Sequence, residues 1–459
     1  MAVIPYLVVG PNAIMSLIGL VHGPDKIKPT PAEDWREAKV EVVIPALDEE
    51  RNIILSLDSI KKQTLQPERV VLVDDGSNDR TAAVADEYAK AIGLNLVVYK
   101  RQAPIGKTVT LKRQSRESDA DVEFILDGDT ALESPNYIER LVFELYQGVG
   151  IASACGTILP IKTRARKALF QEPKPREFLK EHPQIVTELD STWYQRLSRK
   201  VISTYRDCLY RYLQRFIYHG EMVFFGSIVN PVGCAVAYRR KYVKELFDEY
   251  EPVLGENLTT SEDIFIGFAM ADYGYRNIQL ADVYARTLEP RFIHWFHQQH
   301  NWSSSFLQSC YYFPGLLWSP FKALKRWRWR RRSKKSGVEE LRRIKEQYRQ
   351  AFGRQFTKQY GRPIGWFIFL SAFEKLSFPL LLILMLAMGW WEALLVTLAA
   401  ETGLFLFTLF VTSKSDRFSS LLKGILITPF RYTSIIIDIV TTFRFFWDVL
   451  VTKNRDWRK

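Results

Sequence analysis

Phe124-Ile125-Leu126-Asp127-Gly128-Asp129-Thr130 is the stretch that decides the fold. Three apolar residues predict a buried strand, and two carboxylates separated by one glycine stand at its end. Side chains alternate along an extended backbone, so Asp127 and Asp129 project to one side while Gly128 admits a close neighbour. Two hard oxygen ligands at this spacing suit a divalent cation that also holds phosphates. Taken alone, Asp-X-Asp is more often the mark of a strand running into a polar turn. The flanking sequence decides between them.

Working back toward the N-terminus, Val40-Glu41-Val42-Val43-Ile44-Pro45 predicts a strand, and Asp48 to Lys62 a helix that Asp48 caps. Val70 to Val73 predicts a second strand that ends at Asp74-Asp75-Gly76-Ser77, followed after Asp79 by a helix over Arg80 to Ile92. Leu96 to Tyr99 is a third strand, and the fourth runs into Asp127. Strands alternating with helices predict an α/β fold with a parallel, doubly wound sheet. Such sheets bind ligands at the carboxyl ends of their strands, where both acidic clusters fall. A nucleotide site is the expected consequence.

The order Val43-Ile44-Pro45-Ala46-Leu47-Asp48-Glu49, Val73-Asp74-Asp75-Gly76-Ser77, Gly106-Lys107 and Asp127-Gly128-Asp129 resembles that of family 2 glycosyltransferases of the GT-A fold. Downstream, Gly233-Cys234-Ala235-Val236-Ala237-Tyr238-Arg239 resembles the family's glycine-led acceptor segment. Ser261-Glu262-Asp263 resembles its Thr/Ser-Glu-Asp motif, and Gln298-Gln299-His300-Asn301-Trp302 its Gln-X-X-Arg-Trp motif. The likeness covers roughly Val40 to Trp302, with membrane segments behind it as in cellulose, chitin and hyaluronan synthases. It implies a GT-A catalytic domain, Rossmann-like with a mostly parallel sheet. The implied reaction is an inverting, metal-dependent transfer of sugar from a nucleotide sugar, a uridine diphosphate sugar by preference, to a growing polysaccharide.

The resemblance also implies roles. Asp129, supported by Asp127, would coordinate Mn²⁺ or Mg²⁺ bridging the donor diphosphate. Asp74 and Asp75 would contact the nucleoside, with Lys107 and Asp127 beside base or phosphates. Asp263 would take the proton of the attacking hydroxyl, with Glu262 orienting it. Trp302, Gln298 and Gly233 would meet the acceptor. One departure stands out: the last motif carries Asn301 where the family has arginine, and a neutral amide lacks the planar, permanently charged fork that meets a diphosphate. That leaves His300 or another nearby basic residue to fill the place. Two other functions remain open: single-sugar transfer to a lipid acceptor such as a polyprenyl phosphate or ceramide-like lipid, and a non-catalytic membrane scaffold. The intact acidic set argues against the scaffold.

A chain of 459 residues allows two or three domains. Its net charge of +12 is local: Lys322 to Arg362 holds 16 Lys and Arg against 3 Glu, so the remainder is close to neutral. That pattern fits membrane headgroups and argues against a nucleic-acid partner, even at Lys325-Arg326-Trp327-Arg328-Trp329-Arg330-Arg331-Arg332. Cys155, Cys208, Cys234 and Cys310 show no metal-ligand spacing, which points to a reducing compartment.

The expected organisation is an N-terminal membrane or interfacial helix at 1–25 and the catalytic domain at 38–302. That domain holds a helical insertion at 160–226, in which Trp193 to Phe216 is amphipathic. Interfacial and basic helices follow at 303–362, including Phe306 to Trp318 and a helix marked by Val338, Leu341, Ile344, Tyr348 and Phe352. A transmembrane hairpin at 363–413 joins Trp366–Met388 to Trp390–Val411, with basic flanks at Arg362 and Lys414. The last segment, 414–459, is interfacial or re-entrant. The expected location is therefore a plasma (inner) membrane with the catalytic domain in the cytoplasm. The expected partners are a nucleotide-sugar donor, a sugar polymer or glycolipid acceptor, and membrane lipids. So few spans make a homo-oligomer or a secretion partner a further requirement for passing a polymer.

Overall fold

The computed structural model describes residues 10–22, 33–148, 150–190, 192–254, 261–335, 352–413 and 416–453. Lys26 and Lys28, Lys414, the C-terminal basic residues from Arg455 on, and the whole amphipathic stretch Val338 to Tyr348 lie outside them.

Eight strands form one sheet: β1 Val40–Ala46, β2 Arg69–Asp74, β3 Leu96–Lys100, β4 Val122–Leu126, β5 Thr130–Leu132, β6 Ile151–Pro160, β7 Ala235–Arg239 and β8 Arg276–Thr287. Their order is β3-β2-β1-β4-β7-β6-β8-β5. Apolar residues occupy both faces of the central strands. Val42, Ile44, Leu72, Phe124 and Leu126 point into one core, which the helices Ile53–Lys61 and Thr81–Ile92 cover. Val43 and Ile125 point into the other, under Arg240–Leu254 and Glu262–Tyr273. Burial on both faces is why these strands read as apolar runs without alternation.

The parallel pairing expected for the sheet holds across β3, β2, β1 and β4. Beyond β4 the sheet is mixed: β7 is antiparallel to both β4 and β6, β6 and β8 are parallel, and β5 returns antiparallel on β8. The physical reason is where the chain arrives. The Gly233-Cys234 turn lies at the tip of β4, where the Asp127 amide donates to the Cys234 carbonyl at 2.9 Å, so β7 can only run back down.

Asp48 does not cap a helix. The helix starts at Ile53, whereas Asp48 sits in the left-handed region (φ 56°) and bridges two strand tips. Its amide donates to Ser77 Oγ at 2.9 Å, and its Oδ1 accepts from the Asn78 amide at 2.8 Å. Locally, an Asp before an apolar run looks like a cap; here the bonds across to β2 take precedence.

The insertion folds as Thr163–Phe170, Pro173–Glu181, Trp193–Tyr212 and Tyr218–Phe225, with a π-helical turn at Leu213–Ile217. It sits between the sheet and the C-terminal helices. Gln214 exchanges hydrogen bonds with the backbone of Ile158 on β6, both at 2.8 Å. Ile202, Tyr205 and Cys208 share a core with Phe405, Leu409 and Ile427. Trp193, Tyr194 and Leu197 remain exposed at its start.

Phe306 does not begin a separate interfacial helix. One helix runs from Phe292 to Tyr312, and only Pro314 interrupts it, opening the single turn Pro314–Leu317. Among the described residues two helices, Gly365–Ala387 and Trp391–Thr412, are long and apolar enough to cross a membrane, with mean hydropathy 1.9 and 2.1. The stretch 421–451, apart from a π-helical turn at Asp448–Thr452, falls in two helices, Arg417–Arg431 and Thr433–Trp447, of 15 residues each. Each is about 22 Å long against a hydrocarbon core of about 30 Å. The described N-terminal helix, Pro11–His22, is shorter still.

Gly267 fixes how the Glu262–Tyr273 helix seats, because a Cβ there would lie 2.1 Å from the Val229 carbonyl oxygen. Gly267→Ala is expected to destabilise the fold by about 1–3 kcal/mol through overpacking. A thermal or denaturant unfolding midpoint equal to that of the wild type would refute this seating.

Candidate active site

The tips of β1, β2 and β4 point to one side of the sheet, and the loops that follow them carry most of the expected site residues. Lys107 is the hub. Its Nζ lies 2.7 Å from Asp127 Oδ1, 3.0 Å from Glu262 Oε1 and 3.1 Å from the Gly233 carbonyl oxygen. Four segments far apart in sequence thus meet on one ammonium group. Burial opposes that charge, but Asp127, Glu262 and Asp263 together outweigh it and hold the Lys107 pKa well above the usual lysine range.

Lys107 opens the helix Lys107–Glu117, preceded by Gly106 at φ 100°. The loop before it hangs on Asp75. Asp75 Oδ1 accepts from Arg101 Nη1 at 2.7 Å and from the Ile105 amide at 3.1 Å, and Oδ2 accepts from the Gly106 amide at 2.8 Å. Asp74 differs. Fully buried at the tip of β2, it accepts from the Ser77 amide through Oδ1 at 2.8 Å, while its Oδ2 has no hydrogen-bond partner among the described residues.

Asp263 lies in the first turn of the Glu262–Tyr273 helix. Its Oδ2 accepts from the Gly233 amide at 3.2 Å, and its Oδ1 accepts from Ser261 Oγ at 2.5 Å and from the Ile264 amide at 2.8 Å. Gly233 is needed for this approach, since a Cβ there would stand 2.8 Å from that of Asp263. Burial, followed by the Glu262 charge, raises the Asp263 pKa. The chain therefore brings the expected base against both the glycine-led segment and the Lys107 hub.

Asp129 accepts from Thr130 Oγ at 3.3 Å and from Thr287 Oγ at 3.4 Å. Burial and the neighbouring Asp127 push its pKa up to about 7. Glu49 closes over this pair from the β1 loop: a Cβ on Gly128 would come 3.1 Å from Glu49 Cγ. Burial and Asp129 raise Glu49 to about 8. Among the described residues no three His, Cys, Asp or Glu side chains form a ready-made cage. Instead there is a surplus of crowded carboxylates with one ammonium among them. That donor set fits a divalent cation which completes its shell with phosphate and water oxygens.

Gln298 and Trp302 stand on the Phe292–Tyr312 helix. They meet Arg206, a fully buried residue of the Trp193–Tyr212 helix. Arg206 Nη2 donates to Gln298 Oε1 at 2.5 Å, and its guanidinium lies 4.3 Å from the Trp302 ring centre. Arg206 Nε is 3.4 Å from Glu289 Oε2. Sequence reasoning missed Arg206, Glu289 and the closure by Glu49. The only local sign of Arg206 was a charge within the apolar spacing of the Trp193–Phe216 stretch.

A sequence model of the family described as "Glycosyl transferase family 2" matches residues 41–247. An N-acetylglucosaminyltransferase of Sinorhizobium fredii is 25% identical over 273 residues, 58% of this chain and 57% of that protein. The O-antigen chain rhamnosyltransferase RfbN of Salmonella typhimurium is 30% identical over 124 residues, 27% of this chain and 38% of that one. The matches thus span between about a third and three fifths of these relatives' lengths. Among solved structures, the mannosyltransferase PcManGT of Pyrobaculum calidifontis, in complex with GDP-Man and Mn²⁺, aligns with 95% of this chain and 99% of its own, at 15% identity and a TM-score of 0.49.

Proposed function

From the premise that this chain belongs to the family 2 glycosyltransferases, we propose that it transfers a sugar, with inversion, from a uridine diphosphate sugar to a growing polysaccharide at a membrane. One observation carries the reading. Lys107 links Asp127, on the donor side, to Glu262, whose neighbour Asp263 is seated on Gly233, on the acceptor side.

Asp263 accepts the proton of the acceptor hydroxyl as its oxygen attacks the anomeric carbon. The bond from that carbon to the diphosphate oxygen breaks on the opposite face, which inverts the centre. Glu262 holds Lys107 and sets the field around Asp263. Asp129 and Asp127 would hold Mn²⁺ or Mg²⁺, which when bound neutralises the charge that builds on the leaving diphosphate. Asp74, with one buried oxygen unpartnered, is available to a donor N–H or O–H of the nucleoside. Asp75 acts through the Gly106 loop that presents Lys107.

A second reading, single-sugar transfer to a lipid acceptor, has its own support. The helix that carries Gln298 and Trp302 continues against the Thr433–Trp447 helix. There Ser303 Oγ donates to Asp438 Oδ1 at 2.6 Å, and His300 Nδ1 lies 2.8 Å from Thr441 Oγ. An acceptor subsite beside apolar helices suits a glycolipid as well as a polymer.

Purified protein incubated with a panel of nucleotide sugars and Mn²⁺ tests both readings through nucleoside diphosphate release and product mass. A ladder or high polymer is expected, a single addition to extracted lipid would replace it with the second reading, and no release from any donor would leave a scaffold. The two long apolar helices further predict that the protein resists extraction from membranes by high salt and alkaline carbonate and yields only to detergent. Release by salt alone would remove the membrane part of the proposal, together with the cytoplasmic placement of the catalytic domain.

A further inference from the structure

The motif Gln298 to Trp302 carries Asn301 where the family resemblance expects arginine, yet a guanidinium stands among its side chains. Residues 298, 301 and 302 share one helix face by their spacing. Arg206 bonds to the first and stacks on the last, so its charge lies beside the position that the missing side chain would leave.

That guanidinium also adjoins the metal-side carboxylates. Glu289, its ion-pair partner, follows β8 by two residues, and the end of β8 is bonded to Asp129. The Leu288 amide donates to the Asp129 carbonyl at 3.2 Å, and Thr287 Oγ lies 3.4 Å from Asp129 Oδ1. The Glu289 backbone is pinned in turn by Arg199, whose Nη1 donates to the Glu289 carbonyl at 2.8 Å. Among the described residues Arg206 Nη1 is buried and makes no hydrogen bond, while Nε faces Glu289 Oε2 at 3.4 Å. Buried guanidinium donors are almost always satisfied, so an unfilled one beside a charged site points to a ligand.

We propose that Arg206, supplied by the insertion, binds the donor diphosphate in place of the arginine that this chain lacks at position 301. The inference rests on the glycosyltransferase reading and deepens it. Its chemistry is specific: a guanidinium keeps its charge when buried, and Nη1 is the donor left to meet a phosphate oxygen. In the free protein Gln298 holds Nη2 and Glu289 faces Nε, and Nη1 stays available to a phosphate oxygen.

The test measures binding of uridine diphosphate and of uridine monophosphate, each with Mn²⁺, to the full chain and to Arg206→Gln, Arg206→Lys and the double variant Arg206→Gln with Asn301→Arg. Expected are a loss of about 10- to 100-fold in diphosphate affinity for Arg206→Gln, a smaller loss for Arg206→Lys, little change for the monophosphate, and recovery in the double variant. Equal loss for both nucleotides in both single variants, or no loss for either, overturns the assignment by making Arg206 a packing residue. If Arg206→Gln does not fold, Arg206→Lys decides: loss for the diphosphate but not the monophosphate supports Arg206, and equal loss for both or none for either overturns it. Should the wild type bind no nucleoside diphosphate and transfer no sugar, the underlying reading fails and this one with it. Wild-type binding with indifferent variants overturns Arg206 alone.

Discussion

Asp263→Asn is expected to lower the turnover of sugar transfer by about 10²–10⁴-fold while leaving donor affinity close to that of the wild type. The substitution is nearly isosteric, and the amide oxygen can keep one of the two backbone donors, the Gly233 amide or the Ile264 amide at the start of the helix. Lys107 keeps Asp127, Glu262 and the Gly233 carbonyl, so the donor side is untouched. What disappears is the basic carboxylate that takes the proton. Gly233→Ala tests the same idea by displacement, because its Cβ would press on Asp263 at 2.8 Å and turn the base away. The pH profile gives a further reading. Burial and Glu262 raise the Asp263 pKa, and catalysis needs the ionised form, so turnover should fall as pH drops, on a limb above the usual aspartate value of about 4. Transfer by Asp263→Asn within about tenfold of the wild type would remove Asp263 as the base.

The legible half of this molecule is the half built from local repeats. Each of β1 to β4 is a short apolar run bounded by turn residues, and the helices between them leave room only for parallel crossovers. Placing Asp74, Asp75, Asp127 and Asp129 at the strand ends followed from that pattern alone. The convergence of Lys107 with Glu262 did not. Those residues lie on separate helices, and periodicity within either says nothing of the other; only the resemblance named both. The direction of β7 was equally hidden, since an isolated run such as Ala235 to Arg239 pairs as readily one way as the other. It is settled by where the insertion delivers the chain. Arg206 lay deepest. An arginine in a helix rich in arginine reads as a solvated face, and only tertiary packing shows that this one is fully buried against Gln298, Trp302 and Glu289.

Asp129→Asn should divide two properties that usually move together. Burial and Asp127 raise Asp129 to about 7, and burial and Asp129 raise Glu49 to about 8, so both carboxyls are ionised at the expense of the fold when no cation is present. The sign follows from proton counting: acids held above their unfolded values bind more protons in the folded state, so stability falls as pH rises from about 4 to 8. Removing Asp129 removes one such group and relieves Glu49. In chelator, the variant is expected to melt no lower than the wild type at pH 8, with the difference vanishing below about pH 4, where all these groups are protonated in both states. With Mn²⁺ and a nucleoside diphosphate present the order reverses. Ligand bound only to the folded state stabilises it by RT ln(1 + [L]/Kd), and the variant has lost one of the two carboxylates proposed to hold the cation. The wild type should gain a metal-dependent rise in melting temperature that the variant lacks, and transfer should fall with it. A variant that keeps the full Mn²⁺-dependent rise would show that the cation binds elsewhere. Equal loss of stability with and without metal would mean that Asp129 serves the fold rather than the donor.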